Sequence, residues 1–236
     1  MGNVIIVAGD SGTGKSSSLK TLNSESTVIV NVLGKELPWR GSKKDYNPEK
    51  KNIRKATKSP DIIATIASRM LDPKIETIVI DDIGFSMLEE YFDKASVSGF
   101  GKFVEMSVNL QKIIKYAKDD VPADKTVIFM FHTEQNEKEA LYKIKTIGKM
   151  IDNAFNPLSI VTICMFTEVK FDKEEKPVYS FITNRSINNE GITIPAKSPE
   201  GMFSESRIPN DMKYVLDCMN AYYAGDEPVK LKTITK

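Results

Sequence analysis

Arginine is scarce in this chain. Of 33 Lys and Arg residues only five are Arg (Arg40, Arg54, Arg69, Arg185, Arg207), which gives weak support to a small-molecule kinase, whose lid usually brings several arginines to the phosphates. The single histidine, His132, excludes a histidine-rich metal site. Two cysteines, Cys164 and Cys218, form neither a C-x-x-C pair nor a metal spacing and read as buried, reduced thiols. No apolar run approaches the length of a membrane span. The first residues enter a strand at once, so no signal peptide is expected, and Ile6 stands where N-myristoylation needs Ser or Thr. The guanine-reading N-K-x-D motif is absent, which argues against a Ras-like switch. A net charge of +1 announces no polyanionic partner.

What is present begins at residue 9. The stretch GDSGTGKSS follows the apolar run VIIVA. Gly9, Gly14, Lys15 and Ser16 fit G-x-x-x-x-G-K-[ST], the phosphate-binding loop called Walker A. Glycines let the backbone curl so that successive N–H groups point inward at phosphate oxygens. Lys15 is expected to reach the β- and γ-phosphates, and the Ser16 hydroxyl to bind Mg²⁺. The whole segment Gly9, Asp10, Ser11, Gly12, Thr13, Gly14, Lys15, Ser16 and Ser17 is therefore the candidate ATP-binding loop. Its context is a strand before (3–8) and a helix after (15–22), whose positive end also favours an anion.

Apolar runs with little polar alternation at 3–8, 27–32, 77–80, 126–131, 159–166 and 178–183 read as strands covered on both faces. Helical patterns occupy 15–22, 61–71, 103–117, 148–155 and 209–223. The alternation predicts an α/β fold with a mainly parallel central sheet flanked by helices, as one domain over 1–225 and a C-terminal tail over 226–236. Long loops are expected at 35–58, which carries nine Lys or Arg against three acidic residues, at 96–102 and at 134–145; 188–199 resembles a hairpin turning at 188–191.

TIVIDDIG (77–84) is an apolar strand ending in two acids, the Walker B pattern. Asp81 is the candidate Mg²⁺ residue because it directly follows the apolar run, and Asp82 a candidate for orienting the attacking water. Glu36, placed after the strand 27–32, is a second candidate at the carboxyl edge of the sheet, where open α/β folds bind ligands. The strand 126–131 ends at that edge too, so His132 or Thr133 would face the γ-phosphate as a polar sensor. Lys143 and Lys145, in YKIKTIGK, share one face if the segment is extended.

The order of these parts resembles the RecA core. With GDSGTGKSS, KELPWRG (35–41), TIVIDDIG, KTIGKMID (145–152) and PEGMFSESRIPNDM (199–212), the chain is similar to phage-encoded, single-domain RecA-like ATPases of the AAA-family ATP-binding group, some of which anneal single strands. The resemblance covers about residues 1–225. It implies a RecA-like P-loop NTPase core, ATP hydrolysis with Mg²⁺, and binding of single-stranded DNA in phage recombination, annealing or replication. It further implies a homo-oligomer (ring or filament), a single-strand binding protein as partner, and a location in the cytoplasm of the bacterial host. Residues 84–102 and 134–145 then match two DNA-binding loops. Lys102, Lys143, Lys145 and Lys149 would supply charge, and Phe85, Phe100 and Phe103 stacking. Lys143 and Lys145 either contact DNA phosphates or reach an adjacent subunit's ATP site, as paired lysines do in RecA-like filaments. The strand at 3–8 opens the sequence, so the polymerisation helix that RecA carries ahead of its first strand is not expected.

Overall fold

A computed structural model of the chain describes residues 1–146 and 156–230; the helix expected at 148–155, with Lys149, and the end of the C-terminal tail, 231–236, lie outside them. Strands β1 (Asn3–Ala8), β2 (Thr27–Asn31), β3 (Ile53–Arg54), β4 (Thr77–Asp81), β5 (Thr126–Phe131), β8 (Ile163–Phe171), β9 (Pro177–Ile182) and β12 (Arg207–Pro209) form one sheet, in the order β12-β9-β8-β1-β5-β4-β2-β3. From β3 to β8 every neighbouring pair is parallel; β9 and β12 continue the sheet antiparallel.

Burial on both faces explains why these strands read as unbroken apolar runs. Ile6 and Ala8 of β1, Ile78 and Ile80 of β4, and Phe129 and Phe131 of β5 point to one side. There they meet Ile62 and Ile66 of α2 (Ser59–Met70) and Leu110 and Ile113 of α4 (Gly101–Asp119). The alternate residues, Ile5, Val7, Val79, Ile128 and Met130, face the other side and the last helix, through Met212, Val215, Cys218 and Met219. Cys164 and Cys218 are free and buried, and burial pushes the Cys164 thiol well above its ordinary value.

Several segments differ from expectation. Residues 15–22 form a six-residue 3₁₀ turn, Ser16–Thr21, rather than an α-helix. The run Ser16, Ser17, Ser18 explains this: serine competes for backbone groups, and the Ser18 hydroxyl bonds Lys15 O at 2.6 Å. The basic segment 35–58 holds a short helix, α1 (Ser42–Asp45), and β3. The expected loop 84–102 opens as the helix α3 (Gly84–Asp93). The expected loop 134–145 is a hairpin of β6 (Thr133–Asn136) and β7 (Leu141–Ile144). Together with β10 (Ser186–Ile187) and β11 (Thr193–Ile194) it makes a second, four-stranded sheet. The β10–β11 turn lies where the sequence placed it, with Asn188 Oδ1 accepting from Ile192 N at 2.9 Å and Gly191 at φ 78°. The last helix is α5 (Met212–Ala224), capped by Asp211. No helix among the described residues is long and apolar enough to cross a membrane.

Candidate functional site

Because β1, β2, β4 and β5 run parallel, their carboxyl ends open on one edge of the sheet. Each then contributes polar residues there, as expected of open α/β folds. A cleft of about 220 Å³ lies at this edge, lined by Ser11, Gly12, Gly14 to Ser17, Lys35, Glu36, Pro38, Asp81, Asp82, His132 and Tyr179. Another cleft, of about 150 Å³ between α2, α3 and α4, carries none of the motif residues.

The loop after β1 owes its shape to its glycines. Gly12 and Gly14 take φ of 78° and 93°, a region glycine enters without steric cost. At Gly9 the constraint is space: a Cβ there would lie 1.7 Å from Thr167 Oγ1 of β8. Thr13 closes the far side, its hydroxyl meeting Thr167 Oγ1 and Asp10 O. Gly9, Asp10 and Thr13 thus line a neighbouring cavity with Thr167, Glu168 and Tyr142. Ser11, Gly12, Gly14, Lys15, Ser16 and Ser17 line the cleft itself. With so short a 3₁₀ turn behind it, the loop offers an anion its own N–H groups and Lys15 rather than a helix dipole.

Lys15 is 5% exposed. Its ammonium folds back on the loop, donating to Gly9 O at 2.8 Å and Asp10 O at 2.9 Å. Burial lowers its pKa, and the charges of Asp82, Asp81 and Asp10 only partly offset this. The Ser16 hydroxyl donates to Asp81 Oδ1 at 3.1 Å. That bond joins the loop to β4 across the intervening strand β5. Burial and the adjacent Asp82 charge push the Asp81 carboxyl up to about 6, against the Ser16 bond and the Lys15 and Lys35 charges. A buried carboxylate beside a hydroxyl, open to a cleft, suits a hard cation. Among the described residues no cluster of three or more His, Cys, Asp or Glu could hold a metal alone. The donor set that is present, the Asp81 carboxylate with the Ser16 hydroxyl, is of the size Mg²⁺ usually takes from a protein, one or two carboxylates with phosphate oxygens and waters completing its shell.

Asp82 is a non-glycine residue at φ 58°. Its Oδ2 lies 3.3 Å from Lys35 Nζ and its Oδ1 3.0 Å from His132 Nε2. The His132 contact is close but lacks the geometry of a directed hydrogen bond. Burial pushes the Asp82 carboxyl up, yet His132 and Lys35 together outweigh it and hold the group below its ordinary value. His132 is braced by the edge of Phe85, ring centres 5.6 Å apart, so β5 delivers a fixed imidazole to the acid. Thr133 begins β6 and faces the neighbouring cavity instead.

Glu36 reaches the rim, its side chain 75% exposed and its Oε1 3.0 Å from Lys43 Nζ. Lys143 and Lys145 are not among the cleft's lining residues. Lys143 pairs with Glu139 at 2.8 Å, and Lys145 N donates to His132 O at 2.8 Å. The structure thus brings Lys15, Ser16, Asp81, Asp82, His132 and Glu36 together and leaves the two lysines on the hairpin that continues from His132. Phe100 stands 71% exposed before α4. Phe85 and Phe103 pack partly against the core. Lys102 lies over the Tyr91 and Phe103 rings.

Sequence reasoning missed Lys35, Asn31 and Tyr179. Lys35 stood in plain view beside Glu36, inside a basic run read as a loop. Tyr179 comes from a distant antiparallel strand and gave no local signal. A comparison with protein-family models finds no match to this chain, and a comparison with curated proteins finds none either.

Proposed function

We propose that the protein is a RecA-like ATPase that binds ATP with Mg²⁺, hydrolyses it, and couples that cycle to single-stranded DNA in phage recombination, annealing or replication. The observation that carries the nucleotide reading is the Ser16–Asp81 hydrogen bond at 3.1 Å beside the buried Lys15 ammonium. It links a glycine-shaped loop to an acid-ended strand, the pairing that P-loop NTPases use for a metal-bound triphosphate.

Ser16 and Asp81 would hold Mg²⁺, which supplies positive charge to the β- and γ-phosphate oxygens. Lys15 exchanges its two loop carbonyls for phosphate oxygens. Asp82, ionised and fixed by His132, orients the attacking water; Glu36, exposed and paired at the rim, is the alternative acceptor. His132 carries the state of the γ-phosphate to β6 and β7, because its carbonyl holds Lys145 N. For the DNA arm of the proposal, support comes from the exposed Phe100 and from the resemblance of the motif order to RecA. Stacking on such aromatics contributes about 1–3 kcal/mol per base.

The test is ATP turnover with and without single-stranded DNA, alongside sizing with a non-hydrolysable analogue. The proposal expects turnover that DNA stimulates and that Lys15→Ala abolishes. Turnover indifferent to DNA would leave a nucleotide-gated assembly protein or a small-molecule phosphotransferase as the better account. Normal hydrolysis by Lys15→Ala would remove the proposal's basis.

A further inference from the structure

Among the residues lining the cleft there is no arginine, although phosphoryl transfer commonly depends on a cation that neutralises charge developing on the γ-phosphoryl oxygens. Lys15 is one candidate, committed by position to the loop. The second lysine in the cleft is Lys35. It follows β2 in a turn clamped by Asn31: the Asn31 Nδ2 donates to Lys35 O, and Asn31 Oδ1 accepts from Gly34 N at 2.8 Å. Asn31 is itself buried and stands in register with Asp81. Gly34 takes φ 70°, which lets the chain reverse at that point. The backbone of Lys35 is therefore fixed at the catalytic edge, while its side chain, 61% exposed, remains free to swing. The ammonium rests 3.3 Å from Asp82 Oδ2 and 5.4 Å from the centre of the Phe85 ring. It lines the same cleft as Lys15, Ser16, Asp81 and Asp82, the groups that the ATPase reading places around the γ-phosphate.

We infer that Lys35 is a catalytic residue of this chain, a cis-acting cation that leaves Asp82 for the γ-phosphoryl oxygens and stabilises the transition state. This rests on the ATPase reading above. In the step, the water oxygen attacks the γ-phosphorus and the bond from that phosphorus to the β–γ bridging oxygen breaks. Its electron pair leaves with ADP, and the water's proton passes to Asp82 and then to solvent. Lys35 gives up no proton. Its movement brings positive charge to the phosphoryl group.

Lys35→Met, which keeps the length of the stem, and Lys35→Arg separate this role from simple binding. Three quantities are measured on each: kcat for ATP, the Kd for Mg²⁺–ATP, and the Kd for ADP with aluminium fluoride, which mimics the transferring phosphoryl group. The expected result for Lys35→Met is a kcat lower by roughly 10²-fold or more, the scale seen when one preorganised donor is removed. Its affinity for ATP changes by less than about tenfold, and its affinity for the aluminium fluoride complex falls in step with kcat. Lys35→Arg recovers part of both losses. A Lys35→Met protein with wild-type kcat overturns the inference while leaving the ATPase reading intact, as does equal loss of affinity for ATP and for the mimic. Wild-type protein that hydrolyses no ATP overturns the ATPase reading itself, and this inference with it.

Discussion

Asp81 and Asp82 are sequence neighbours with opposite electrostatics. Asp82 lies beside His132 and the Lys35 ammonium and is held low; Asp81 is buried with a hydroxyl and is pushed from 3.8 to about 6. The signs follow from proton linkage. A carboxyl whose folded pKa is raised retains its proton after the unfolded chain has lost its own. Folding therefore loses stability as pH rises from about 4 to about 6, and the penalty is constant above that. In metal-free buffer, Asp81→Asn should remove this penalty and make the nucleotide-free protein more stable at pH 7, on the order of 1–3 kcal/mol for a shift of this size. Near pH 4 the two proteins should differ little. Urea denaturation across that pH range checks it, and a variant less stable than wild type at pH 7 contradicts the assignment. The same variant should lose the Mg²⁺-dependent part of nucleotide affinity, a stability gain set against function at the site.

At the scale of elements, the loop's 3₁₀ turn meets α5 through Thr21, which accepts from Lys213 N at 3.3 Å, and through Asp211. Asp211 Oδ1 accepts from Tyr214 N at 3.1 Å as the helix cap, and from the Thr21 hydroxyl at 2.7 Å. Asp211→Ala should cost about 1–2 kcal/mol of stability, the usual range for losing an N-cap. It should also weaken ATP binding, because Thr21 ends the turn that begins at Ser16; equilibrium unfolding with and without nucleotide reads both. The elements that the sequence revealed are those whose burial is complete. VIIVA, TVIVN and TVIFMF are apolar on both faces and could be little else. Elements that depend on distant partners were not legible. TEQN (133–136) is polar throughout and becomes β6 only because LYKI folds back on it in register, Glu134 opposite Lys143. GFSMLEEYFD carries an amphipathic pattern, but the resemblance to RecA matches it to a DNA-binding loop. SSSLKT stands where the motif calls for a helix, but its serine content works against one. The site shows the same division. Lys15 and Ser16 are readable from the glycine spacing of their loop, and Asp81, Asp82 and His132 because each ends or follows a buried strand. Lys35 is not, because its place in the cleft is set by the Asn31 clamp, a side-chain contact with no periodic signature.

At the scale of the molecule, the hairpin β6–β7 leads from His132 in the cleft to Lys143 and Lys145. Changing both to Ala should lower DNA-stimulated ATP turnover far more than nucleotide binding. If the lysines act in an adjacent subunit's site, mixing that variant with Lys15→Ala protein should restore some activity, since each supplies what the other lacks. Impairment without restoration assigns them to DNA contact, and normal turnover with DNA removes both roles. All of this depends on the cleft receiving a metal-bound triphosphate, and equilibrium binding of a fluorescent ATP analogue, titrated with and without Mg²⁺ into wild-type and Lys15→Ala protein, tests that most directly. The account predicts saturable wild-type binding that Mg²⁺ strengthens, and a loss of roughly tenfold or more when the Lys15 ammonium, a charged hydrogen-bond donor of about 1.5–3 kcal/mol, is removed. Wild-type protein that does not bind the analogue, or Lys15→Ala protein that binds it equally well, would contradict it.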